Sequence, residues 1–189
     1  CALPISNKPE LKIGSCGNGS AMRVAPLGAF INENRSNWND PIGHLIEDAT
    51  LQAQVTHCHP EGIAGSIAVA LLTYHLSLFT DNPQTFYFLR SNHGHENIYK
   101  FLLKYVPRGK VYDGIVTASQ LPLDMSLMEV IAKLGNGTHV TCQDTVPLCI
   151  YLVVKGIYAQ NALENLYENV LIETCKCFGD VDTNCAIVG

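Results

Sequence analysis

The chain has 189 residues, 47% hydrophobic and 15% charged, with a formal net charge of −5. That length suits one domain, 1–189, with a sizeable core, and the composition excludes a disordered chain. The negative balance argues against a broad basic surface for nucleic acid.

Residues 1–20 are rich in Pro, Gly, Asn and Ser, read as loop, and carry no secretory-signal pattern. "SAMRVAPLGAFI" (20–31) is short and apolar, with Pro26 bending or splitting it. Asp40 then caps a helix with Pro41 at its first position, and Ile42, Leu45, Ile46, Ala49 and Ala53 follow helical spacing. Pro60 opens the next helix, where Gly62, Ala64, Gly65 and Ala68 let neighbours approach closely. Its run "GIAGSIAVALLTYHLSLF" (62–79) approaches membrane length. It carries His75 and hydroxyls but no flanking Lys/Arg cluster, so it reads as a buried core helix and no membrane association is expected.

Further helices are expected over 97–106, over 127–134 with a stop at Gly135, over 146–155 with Asp144 and Thr145 as caps and Pro147 in the first turn, and over 161–174. "NHGHE" (92–96) reads as a solvated loop. Only the β-branched run "GIVTASQ" (114–120) leaves the choice between helix and strand open. The pattern predicts an all-α fold, a compact multi-helix bundle of about six to eight helices. Eight cysteines form no Cys-x-x-Cys pair, and several lie in apolar helical patterns. They read as buried thiols of a reducing, cytoplasmic compartment. Residue 1 is Cys and residue 189 falls inside an apparent helix, so a piece of a longer chain is expected.

Four stretches could carry chemistry. In "GDVDTNCAIVG" (179–189), Asp180, Asp182 and Thr183 offer three hard oxygens suited to Mg²⁺, Mn²⁺ or Ca²⁺. Taken alone, the string favours a simpler reading, in which Asp182 or Thr183 caps the helix that follows. In "GSCGNGSAMR" (14–23), three glycines within six residues free the backbone to turn N–H groups towards an anion, or make an ordinary turn. In "THCHPEGIAG" (56–65), His57 and His59 precede a helix. A zinc reading lacks a second ligand pair, which leaves a ligand-binding histidine or one that satisfies loop carbonyls. "LGNGTHVTCQDTVP" (134–147) is a second Gly-Asn-Gly, or a plain helix stop followed by a turn.

Taken together and in order, these motifs resemble the ADP-ribosylglycohydrolase family. "GNGSAMRVAPLGAF" resembles its Gly-Asn-Gly-x-x-Met-Arg substrate loop, "THCHPEGIAGSIAVA" its Thr-His-x-His-Pro helix start, and "GDVDTNCAIVG" its C-terminal Gly-Asp-x-Asp-Thr metal motif. "LGNG…TVPLCIYLVV" resembles a further family block. The resemblance implies an all-α fold around two Mg²⁺ ions, with Mn²⁺ as a substitute. It implies Asp180, Asp182 and Thr183 as metal ligands. It places Ser15, Cys16, Gly17, Asn18, Gly19, His57 and Thr138 at the ADP-ribose site. It implies hydrolysis of the bond between ADP-ribose and a modified side chain or small molecule. The expected partner is an ADP-ribosylated protein or conjugate, met by a monomer.

The family's opening Gly-Asp-Ala-x-Gly segment and its Thr-Asp-Asp-Thr motif are not in this sequence, and "TDN" (80–82) is no substitute. The chain is therefore expected to carry half of the metal site and to be inactive alone. An ADP-ribose-binding module or a non-catalytic structural member, like the family's lens-crystallin relatives, are the alternatives.

Overall fold

Helix starts follow the local chemistry of the sequence. A computed structural model describes residues 14–79, 94–159 and 165–189, and among these the chain forms nine α-helices and no strand. In chain order they are α1 (Ala25–Glu33), α2 (Pro41–Gln54), α3 (Pro60–Ser77), α4 (Gly94–Tyr105), α5 (Lys110–Gln120), α6 (Leu127–Leu134), α7 (Cys142–Ala159), α8 (Leu166–Cys175) and α9 (Val181–Val188). The all-α architecture is the one the sequence predicts, with more helices than its spacing suggested.

The caps are local. Asp40 Oδ1 accepts the Gly43 N–H at 2.9 Å and opens α2. At α6, Ser126 Oγ accepts the Glu129 N–H at 3.4 Å and donates to the Glu129 carboxylate at 2.5 Å. Gly135, at φ +83°, ends that helix.

The centre of the bundle is α3, buried without interruption from Ala64 to Leu72 because α1, α2, α5 and α7 pack around it. That surround explains an apolar run with no polar face. Among the described residues no helix is long and apolar enough to cross a membrane. The small residues of α3 do admit close neighbours: a Cβ added at Gly65 would lie 2.5 Å from Cys142 Sγ of α7.

Several boundaries differ from the sequence reading. Pro26 sits in the first turn of α1, where its missing N–H costs nothing, so it opens the helix instead of splitting it. Helix α7 starts at Cys142, which places Pro147 inside it and not in its first turn. Asp144 and Thr145 are therefore within the helix, where Asp144 Oδ2 accepts the His139 N–H at 2.8 Å and Thr145 is buried. Gly114 of α5 lies against the Pro147 ring, 2.4 Å from an added Cβ to Cγ. The β-branched run 114–120 is helical because Ile115 and Ala118 face the core, and burial overrides propensity. Gly94, His95 and Glu96 form the first turn of α4 and not a loop; residues 92–93 and the "TDN" at 80–82 lie outside the described residues. The described part of the expected 161–174 helix begins at Leu166.

One cap is long-range. Glu61, in the first turn of α3, accepts the backbone N–H of Lys110 at 2.7 Å and of Val111 at 2.8 Å, satisfying the start of α5. Gly109 has no side chain to obstruct it; an added Cβ would stand 2.4 Å from Glu61 Oε1. Both bonds are charge-assisted, so Glu61→Ala is expected to cost about 1–3 kcal/mol. A urea titration checks this: the midpoint falls with an unchanged slope.

Candidate functional site

The glycine-rich loop is held as a ribbon against the start of α7. Gly17 bridges Thr141, Cys142 N–H donates to the Cys16 carbonyl at 2.9 Å, and Asn18 N–H donates to the Val140 carbonyl at 3.2 Å. Gly17 N–H donates to Ser15 Oγ at 3.1 Å. Two of the N–H groups that could have faced an anion are thus already engaged inside the protein.

The side chain of Asn18 is the link to the acidic corner. It is buried, and its Nδ2 donates to Asp180 Oδ2 at 2.7 Å and to Thr145 Oγ1 at 3.0 Å. The second Gly-Asn-Gly locks in from the other side. Asn184 Nδ2 donates to the Asn136 carbonyl at 2.8 Å, and Asn136 Nδ2 to the Cys177 carbonyl at 3.0 Å. At Gly137, φ +86° and a Cβ position 2.9 Å from Asp180 Cβ leave room only for glycine. Burial pushes the Asp180 carboxyl up, but hydrogen bonding outweighs it, led by Asn18 and followed by the Asp182 and Thr183 side chains. The group stays below the ordinary carboxylate range. Asp182 is exposed, whereas Thr183 is buried with its hydroxyl 3.9 Å from Met22 Sδ.

His57 lies against the other side of the same loop. Cβ atoms added at Gly17 and Gly19 would stand 3.3 Å and 3.1 Å from its Nε2. Its Nδ1 pairs with Thr56 Oγ1 at 2.6 Å, and that hydroxyl accepts from Arg23 Nη2 at 2.7 Å. Arg23, the Thr56 hydroxyl and the His57 ring thus form one chain that holds the imidazole with Nε2 towards the glycines. Burial, then the Arg23 charge, push the His57 pKa below 6.5. Burial does the same at His75, stacked on Phe101 with ring centroids 4.7 Å apart. The unfolded chain then takes up protons before the folded one does. Stability from this source is full above pH 6.5 and is lost as the pH falls towards the depressed folded values. The double substitution His57→Gln, His75→Gln is expected to flatten the stability–pH profile on that limb, read from urea midpoints.

Of the residues singled out in the sequence, His57 and, through Asn18, Asp180 both contact the 17–19 turn. Thr138 is placed differently. It is exposed, and its hydroxyl donates to Asn136 Oδ1 at 2.6 Å within its own loop. His59 accepts the Glu61 N–H at 3.1 Å on Nδ1 and caps α3. Among the described residues no three His, Cys, Asp or Glu side chains gather as a metal cluster. The loops are joined by Asn136 and Asn184, which the sequence did not single out, and by Thr145, which it offered only as a helix cap. The signal was present as polar residues inside apolar frames, such as Thr145 beside "VPLCIYLVV".

The donors at the mouth of α9 fit a hard divalent cation by chemistry, two carboxylates and a hydroxyl, and fall short of its usual six oxygens by number. The fold and this corner define an all-helical protein in which a glycine loop is tethered to an Asp-x-Asp-Thr helix start.

A model of the ADP-ribosylglycohydrolase family matches residues 4–189, and the chain belongs to that family. Human ADP-ribosylhydrolase ARH3 is 26% identical over 199 residues, covering 93% of this chain and 49% of its own length. The mouse protein of the same name is 27% identical, covering 93% and 48%. An uncharacterized Archaeoglobus fulgidus protein is 27% identical over 173 residues, covering 90% and 47%. The chain thus spans about half the length of these relatives.

Proposed function

We propose that this chain is part of a Mg²⁺-dependent hydrolase that cleaves the glycosidic bond between ADP-ribose and a modified side chain or small molecule. The observation that carries the reading is the Asn18 side chain, which ties the glycine loop to Asp180 at 2.7 Å. A ligand held along the loop is thereby brought to the acidic corner. Family membership and the name of the human and mouse relatives, ADP-ribosylhydrolase, support it.

In this reading Asp180, Asp182 and Thr183 hold one side of a site for Mg²⁺, or Mn²⁺ in its place, and the remaining oxygens come from beyond the described residues. Bound there, the metal supplies Lewis-acid polarisation and a positioned water. Ser15, Cys16, Gly17, Asn18, Gly19 and Thr138 line the path of the ADP-ribose. His57, kept neutral by burial and Arg23, contacts it through Nε2 as an uncharged ring and not as a cation. The protein acts as a cytoplasmic monomer on ADP-ribosylated protein or a smaller conjugate.

Thermal unfolding tests this. Mg²⁺ near its dissociation constant stabilises by RT ln 2, so Mg²⁺ alone is expected to raise the midpoint by only about 1–2 °C. Mg²⁺ with ADP-ribose is expected to raise it further than either alone, and Asp182→Ala to remove that surplus. An ADP-ribose shift unchanged by EDTA and by Asp182→Ala would reduce the reading to a binding module. No shift with any combination would remove it.

A further inference from the structure

The cysteines are unevenly placed, and two of them meet. Cys175 ends α8 and is exposed; Cys185 is in α9, one turn beyond Asp182, and partly exposed. Their Sγ atoms are 3.8 Å apart although ten residues separate them. No other described cysteine pair is this close and open to solvent. Cys177, the neighbour in sequence, is fully buried, and its Sγ is directed at the Glu173 carbonyl at 3.5 Å. Cys149 is fully buried as well, with its Sγ near Asn184.

We propose that Cys175 and Cys185 form an oxidisable pair, which a peroxide converts to a reversible disulfide that fastens the start of α9 to the end of α8. The balance is simple. With hydrogen peroxide, two S–H bonds and the O–O bond break, one S–S bond and two new O–H bonds form, and two waters leave. The two sulfurs lose two electrons to the peroxide, and a dithiol reductant reverses the step by exchange. The contact supplies what the reaction needs. The exposed sulfur meets the oxidant, and the second sulfur is near enough to intercept it before further oxidation. The bond would close a short loop that contains the Asp180–Thr183 corner, so oxidation restrains the segment carrying those side chains. The proposal stands on the sulfur geometry and does not depend on the ADP-ribose reading.

Peptide mapping tests it on the 189-residue chain. Trypsin cuts after Lys155 and Lys176, so Cys175 leaves in peptide 156–176 and Cys185 in 177–189, with Cys177. After equimolar hydrogen peroxide, alkylation and digestion without reductant, these two peptides are expected to be joined, with Cys177 alkylated and Cys185 in the bond. Dithiothreitol is expected to separate them. Cys185→Ser is expected to abolish the link and Cys177→Ser to retain it. Should either variant fail to fold, fragmentation of the wild-type linked peptides alone still assigns the bonded sulfur. A bond through Cys177, a link only between two chains, or Cys175 driven to sulfinic acid while Cys185 stays alkylatable would each overturn the proposal.

Discussion

Gly28→Ala is expected to lower the thermal midpoint by roughly 6–12 °C, the equivalent of about 3 kcal/mol for a chain of this size. Gly28 is where α1 touches the backbone of α3. A Cβ there would stand 2.4 Å from the Ala70 carbonyl oxygen, 2.9 Å from the Tyr74 nitrogen and 3.0 Å from Thr73 Cβ. Two of these three atoms are backbone inside the central helix, so no rotamer change relieves the clash and the two helices must separate. Two of the partners on the α3 side are fully or almost fully buried, Ala70 at 0% and Tyr74 at 7% exposure, so separation opens the core. A loss of helical circular dichroism on heating, recorded for both proteins, gives the shift. A midpoint within a degree of wild type would show that α1 is free to slide.

The second large effect concerns turnover. The chain alone is expected to release ADP-ribose from arginine-, serine- or small-molecule-linked conjugates at least about 10²–10³ more slowly than a site with its full set of oxygen donors. The cause is electrostatic. In the proposed reaction charge would develop around the ribose as the bond breaks, and three oxygens at the mouth of α9 would hold a cation too loosely to fix it or a water in place. Background release, equal in Mg²⁺ and in EDTA, is the expected assay result. Fast release that requires Mg²⁺ and is lost in Asp182→Ala would mean that the site is complete without further donors.

Much of the fold was legible because its determinants are local. Asp40–Pro41, Ser126 with Glu129, and Gly135 act on their own neighbours, and the helices they bound lie close to where spacing puts them. The helix α7 was misjudged because its start depends on a distant partner. The Cys16 carbonyl accepts the Cys142 N–H, and no pattern within 134–147 announces that. The same holds at 114–120, where β-branched residues become helical only because a core is waiting for Ile115 and Ala118. At the site, the motif residues were legible one by one, but their connection was not. Asn18, Thr145 and Asp180 are far apart in sequence, and only the folded chain shows one amide serving both oxygens. Glu61 caps a helix that begins 49 residues further on, and nothing near it in the sequence announces that partner.

The most direct test of the shared site is an amide resonance titration with ADP-ribose in the presence of Mg²⁺. The account predicts that the signals of Gly17, Asn18, Gly19, His57 and Asp180–Thr183 move together along one binding curve, and that Asn18→Ala uncouples the loop from the Asp180 corner. Perturbations confined to a different face of the bundle, or to the loop alone with the Asp180–Thr183 signals unmoved, would contradict it.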